Sequence, residues 1–211
     1  YPTTTHRYWP KISADGKNWK PIDSVNFQLF NKDSIAQLKL TVNENKLWIA
    51  AQEIHTSVDA KNWAAETAAH KCVRYSVIGK SKQSRDLIEL DIYGGDPKGK
   101  ELIVILSRQH PPELTGYFAM QFFIDELLKD TKLSNDFRNK YRILVYPMVN
   151  PDGVDLGHWR HNTGGIDLNR DWAYYRQTEV SSIVNHIVDT ANEMNNEVIL
   201  GLDFHSTQED L

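Results

Sequence analysis

ELIVILSRQHPPELTGYFAMQFFIDELLK, residues 101–129, changes its rhythm once. LIVIL is a near-continuous apolar run, the signature of a strand covered on both faces. From Glu113 onward the apolar residues recur at spacings of three and four, as one face of an amphipathic helix requires. Between the two stand Pro111 and Pro112. Proline fixes its own φ, biases the preceding residue away from the α region, and suits a first helical turn because its missing N–H would be unpaired there. The stretch therefore predicts strand, bend and helix, with His110 on the bend and Glu113 in the first turn.

The same rhythm extends outward. LIELDIYG (87–94), YRILVYPMVN (141–150) and EVILGLDFH (197–205) read as further strands, and EVSSIVNHIVDTANEM (179–194) as a second amphipathic helix. Strands alternating with helices predict an α/β domain over residues 72–211, a mixed, mostly parallel sheet with helices on both faces. Residues 1–71 read differently. They hold four of the six tryptophans and short alternating segments, VNFQLF, AQLKLTV and KLWIAAQ, separated by the turn-like groups ADGKN, NKDS and NENK. That pattern predicts a small antiparallel β-sandwich as an N-terminal domain. NWAAETAAHKC, 62–72, is the one helical pattern there and leads out of that unit.

Of the 211 residues, 40% are hydrophobic and 25% charged, enough apolar material for a sizeable core. A net charge of −4 provides no basic surface for nucleic acid or anionic membranes and leaves a small or peptidic substrate as the expected partner. Cys72 is the only cysteine, so there is no intrachain disulfide, thiolate zinc knot or redox pair, and any metal must rest on His, Asp and Glu. No apolar stretch approaches the roughly 18 residues of a membrane span. The chain opens on Tyr1 rather than Met, which reads as a trimmed or mature chain and tilts the expected compartment toward periplasmic or secreted over cytoplasmic. Oligomeric state is left open.

In an α/β sheet, ligands gather beyond the carboxyl ends of the strands. His110 and Glu113 follow one such run and His205 another. Two imidazoles and one carboxylate around an open position make a hydrolytic site for one Zn²⁺ ion, which suits these donors better than Mg²⁺ or Ca²⁺. Asp203, two residues before His205, is a candidate partner for the outer nitrogen of that histidine. A lone His-x-x-Glu is weak evidence; a third ligand at another strand end strengthens it.

Between these segments lies NPDGVDLGHWRHNTGGIDLNRDW, 150–172. Asn150-Pro151-Asp152-Gly153 reads as a turn. His158, Arg160, His161, Asn169 and Arg170 then crowd a loop with few apolar residues. An arginine there can match a carboxylate with its planar fork or stabilise an oxyanion at a metal-bound carbonyl.

HPPE, NPDG, RHNTGGIDLNRDW and DFHST, in that order, resemble the zinc metallocarboxypeptidases known as funnelins, most closely the branch of the cytosolic carboxypeptidases and their bacterial relatives. WPKISADGKNW is similar to the aromatic-rich repeats of the domain that precedes catalysis in that branch, and VIGKSKQSRDLIELDI looks like its opening strand pair. The resemblance implies that His110, Glu113 and His205 are the zinc ligands, that Arg160 stabilises the oxyanion, and that Asn169 and Arg170 bind the free C-terminal carboxylate of a peptide or protein substrate. The implied reaction is hydrolysis of the last peptide bond. The family also places a general-base glutamate and a substrate-covering tyrosine well downstream of the second histidine. Leu211 is six residues past His205, and Glu209 is too near to be that base, so the expectation is a fragment whose general base and specificity pocket lie beyond Leu211.

Two other readings compete. Zinc amidohydrolases of the desuccinylase and aspartoacylase type share a similar metal arrangement but usually carry HGNE where this chain has His110-Pro111-Pro112-Glu113. A catalytically inactive zinc-binding module is the expectation if the natural chain ends at Leu211.

Overall fold

Successive side chains of a strand point to opposite faces of its sheet, so alternation along each strand decides which core it feeds. A computed structural model describes residues 9–30, 35–43 and 45–206, and the chain separates into two units, Tyr1–Ile54 and His55–Leu211. In the first unit, β1 (Lys11–Ser13), β2 (Lys20–Pro21) and β5 (Trp48–Ala50) form an antiparallel sheet ordered β2-β1-β5, while β3 (Phe27–Phe30) and β4 (Ile35–Leu38) form a separate antiparallel pair. The ADGKN turn is built by Asp15, whose Oδ1 accepts from the backbone N–H groups of Lys17 and Asn18 at 2.8 and 2.7 Å. Gly16 takes φ +74° there, with the Trp48 ring 3.4 Å from where a Cβ would stand. NKDS and Glu44 of NENK lie outside the described residues.

The second unit begins ahead of residue 72. Helix α1 spans Ser57–Thr67 and opens on a capping box, Thr56 accepting from the Asp59 N–H while Asp59 accepts from the Thr56 N–H. Ala60 and Ala64 are fully buried in one core with Ile88, Leu90 and Ile92. Helix α1 thus belongs to the α/β unit, which moves the boundary from the expected residue 71 to Ile54.

That unit holds one five-stranded sheet, ordered β10-β8-β9-β7-β6, from β6 (Val73–Lys80), β7 (Asp86–Ile92), β8 (Glu101–Ser107), β9 (Tyr141–Tyr146) and β10 (Glu197–Phe204). It is mixed, parallel through β10-β8-β9 and antiparallel through β9-β7-β6. The short turn between β6 and β7 permits only antiparallel pairing. Ile103, Ile105, Ile143 and Val145 enter a core with α1 and α2 (Leu114–Leu128), while Leu102, Val104, Leu144 and Tyr146 enter another with α5 (Thr178–Met194). The predicted helices on both faces follow from that alternation. The charged helix α3 (Lys132–Lys140), started by the Thr131 cap, has only two large apolar residues, Leu133 and Phe137, of which Phe137 packs against the core and Leu133 is exposed.

NPDG proves to be a helix start. Pro151 is the first residue of α4 (Pro151–Asp155), and Asn150 Oδ1 caps it by accepting from the Gly153 N–H at 3.0 Å. Buried Asp152 accepts from Ser81 Oγ at 2.6 Å and Arg85 Nη1 at 2.8 Å, tying α4 to the β6–β7 turn.

Candidate metal centre

Strands β8 and β10 pair in parallel with Ser107 opposite Phe204, so the chain leaves both at the same rim of the sheet. Arg108 makes the first bend with φ +53°, a conformation uncommon for a residue with a side chain. The prolines then form a turn, and α2 begins only at Leu114, so Glu113 is its N-cap rather than a first-turn residue. Its carboxylate makes no capping bond because both oxygens face imidazoles. His110 Nδ1 lies 2.9 Å from Oε1 and His205 Nδ1 2.6 Å from Oε2. Capping passes to Ser206, whose Oγ accepts from the Gly116 N–H at 3.0 Å and whose own N–H donates to Glu113 Oε2 at 3.3 Å.

One candidate ligand atom each from His110, Glu113 and His205 lies within 4.8 Å of the other two, close enough to share an ion. Each imidazole also has a carboxylate on its outer nitrogen, Asp167 Oδ1 at 3.0 Å from His110 Nε2 and Asp203 Oδ2 at 2.7 Å from His205 Nε2. Such partners fix the orientation and tautomer of metal-binding histidines. The Asp203 contact matches the sequence expectation; Asp167 was not singled out there.

The charges in this cluster hold one another. Burial pushes the Glu113 carboxyl up, but hydrogen bonds from His110 and His205 outweigh it and bring it down to about 2. Hydrogen bonds to Asp203 and then Glu113 raise His205 to about 10 against the effect of burial. Burial likewise acts upward on Asp167, and bonds from His110 and Arg160 hold it below the usual carboxylate range.

The loop 156–170 delivers its residues unequally. Asn169 Nδ2 lies 3.4 Å from His205 Nε2 and so touches the cluster directly, whereas Arg160 Nε donates to Asp167 Oδ2 at 2.7 Å and reaches His110 only through that carboxylate. Arg170 is exposed, with Nη1 donating to the Asn169 carbonyl at 3.0 Å. His158 Nδ1 lies 3.0 Å from the His161 carbonyl oxygen, and neither histidine joins the cluster. The loop is built rather than slack: buried Asn162 accepts from the N–H groups of Gly164 and Ile166 at 2.9 and 3.1 Å and donates to Gln177 at 2.8 Å. The DLN sequence was the available signal for Asp167, which also caps the 3-10 turn Leu168–Arg170 by accepting from the Asn169 N–H at 3.0 Å.

A mixed α/β sheet with two imidazoles and a carboxylate gathered beyond the ends of two parallel strands has the donor set of a mononuclear metal centre. The zinc carboxypeptidase family model matches residues 61–209, and the chain belongs to that family. Cytosolic carboxypeptidase 2 of Danio rerio is 40% identical over 75 residues, covering 36% of this chain and 10% of its own length. An uncharacterized protein of Zymomonas mobilis is 27% identical over 196 residues, 90% of this chain and 49% of its own. The metallo-carboxypeptidase of Pseudomonas aeruginosa, solved with (2-guanidinoethylmercapto)succinic acid, superposes with a TM-score of 0.77 at 25% identity, over 96% of this chain and 52% of its own. The chain thus spans about half the length of these last two relatives.

Among the described residues, no helix is long and apolar enough to cross a membrane.

Proposed function

We propose that the chain carries the zinc centre and the carboxylate-docking groups of a metallocarboxypeptidase that hydrolyses the C-terminal peptide bond of peptides or proteins. The carrying observation is the convergence of Nδ1 of His110 and Nδ1 of His205 on the two oxygens of Glu113. His110, Glu113 and His205 would hold one ion. Two imidazoles with one carboxylate, and no thiolate, fit zinc better than magnesium or calcium, which favour oxygen donors. When bound, zinc supplies a Lewis acid for the scissile carbonyl and makes water more acidic.

The chain's own groups do the rest of the positioning. Arg160 uses Nε on Asp167, and its terminal nitrogens make no hydrogen bond among the described residues. They are assigned to the negative oxygen that develops on the scissile carbonyl. Asn169 and Arg170 are assigned to the substrate's free carboxylate, the amide beside His205 and the guanidinium further out. Asp167 bonds both His110 and Arg160, so it fixes the spacing between a ligand and the oxyanion donor. A dicarboxylic acid bound to the Pseudomonas relative is consistent with a site that receives carboxylates.

The natural polypeptide should bind one zinc and cleave a peptide with a free C-terminus in preference to its amidated twin. Equal cleavage of the two would remove carboxylate docking from the reading, and hydrolysis of acylated amino acids instead would favour the amidohydrolase class. His110→Ala should carry no stoichiometric zinc by elemental analysis; full retention would refute the ligand assignment.

A further inference from the structure

A chain of hydrogen bonds outside the ligand set ends on His205. The Trp172 indole Nε1 donates to Gln109 Oε1 at 2.8 Å, Gln109 Nε2 donates to Asp203 Oδ2 at 2.6 Å, and His205 Nε2 lies 2.7 Å from that same oxygen. Chemistry fixes each direction. An indole N–H can only donate, so Gln109 turns its carbonyl to Trp172 and its NH₂ to Asp203. A carboxylate can only accept, so His205 Nε2 donates to Asp203, and Nδ1, 2.6 Å from Glu113 Oε2, is the nitrogen that gives up its proton when a metal takes its place. Asn169 Nδ2, at 3.4 Å from His205 Nε2, is the longer and weaker contact and leaves this assignment unchanged.

Gln109 is also held by its main chain. It is fully buried, its carbonyl accepts from Asn150 Nδ2 at 3.1 Å, and the Asn150 N–H donates to the Arg108 carbonyl at 3.1 Å. The NPDG and NRDW segments, which the ligand set does not use, therefore meet on the residue just before His110.

We infer that Gln109 is a positioning residue for His205: braced by Trp172, it holds Asp203 where that carboxylate turns His205 Nδ1 toward the metal. The inference rests on the zinc reading above. A side chain that merely filled space at this position could be exchanged for methionine, of nearly equal length, without consequence for the metal.

The test measures zinc affinity of the full chain by chelator competition in Gln109→Met, Trp172→Phe and the double variant, with the cobalt-substituted absorption spectrum as a report on ligand geometry. Gln109→Met should keep one-ion stoichiometry and bind about ten- to a hundredfold more weakly, with a shifted cobalt spectrum. Trp172→Phe should move both readouts the same way by less, and add nothing in the Gln109→Met background, because it acts through Gln109. If Gln109→Met fails to fold by circular dichroism, Trp172→Phe, at a partly exposed position, carries the test alone. Wild-type affinity in the folded variants, or additive losses in the double variant, overturns the relay while leaving the zinc reading intact. Absence of stoichiometric zinc from the unmodified chain overturns the zinc reading and the relay with it.

Discussion

Gly116 lies where α2 passes closest to the segment leaving β10, and a Cβ there would stand 2.6 Å from both the carbonyl carbon and the oxygen of His205. Neither atom is the end of a flexible side chain, so α2 and β10 would have to separate. Alanine normally improves a helix by about 0.8–1 kcal/mol over glycine, whereas overpacking costs about 1–3 kcal/mol. Gly116→Ala should therefore unfold at lower temperature and bind zinc more weakly, since the displaced atoms belong to a ligand residue. A variant more stable than the parent, with unchanged zinc affinity, would mean that the close approach does not constrain the site. At this scale, His110, Glu113 and His205 were legible because strand ends mark sites and each lies beside a readable strand. Asp167, Gln109 and Ser206 were not. Asp167 had a local cue in its cap of the 3-10 turn, but its bond to His110 spans 57 residues, and Gln109 and Ser206 act only through distant partners, Asp203 and Gly116, that no local pattern marks.

Strand β7 carries a carboxylate in its interior. Glu89 is 2% exposed; Oε2 accepts from Ser76 Oγ at 2.9 Å and Oε1 has no hydrogen-bond partner. Burial, then the nearby Asp91 charge, push its carboxyl up to about 8, opposed by the Ser76 bond and Arg142. The folded state thus keeps a proton that the unfolded state releases near 4.5, so the folded state binds more protons between these values and stability falls as pH rises through that window. Glu89→Gln holds a neutral group of the same shape and should lose this slope. Urea unfolding should show the variant close to the parent below about pH 4.5 and more stable above about pH 8, at about 1.4 kcal/mol for each tenfold change in proton affinity. Parallel curves for the two proteins would refute this account of Glu89. The main strands and α2 and α5 could be read from apolar periodicity because each packs by an unbroken run or stripe. Helix α1 was placed too late because alanines, not large apolar residues, make its buried face; its capping box at Thr56 and Asp59 was the better signal.

In the α/β unit as a whole, the helices cover the inner strands while β10 stands at the edge with apolar residues in view. Val198, Ile199 and Leu200 are 47%, 44% and 44% exposed, and among the described residues no strand pairs with the outer side of β10. An open apolar strand edge is a template for another chain, because its free N–H and C=O groups and its side chains are satisfied together by one added strand. The 211-residue chain by itself should therefore self-associate with rising concentration in sedimentation velocity. Ile199 is the place to oppose this, since the β10–β8 register shifts between Val198 and Leu200 and Ile199 has no partner in the ladder. Ile199→Lys puts a charge on the edge without removing a paired residue, and should move the chain toward monomer. Zinc stoichiometry should not change, because the pairing that carries His205 to the site, from Leu200 to Phe204 against Ile103 to Ser107, lies beyond the substitution. A chain already monomeric at every concentration would show that its exposed edge is protected by its own twist and charges, and self-association undiminished in Ile199→Lys would place the contact elsewhere.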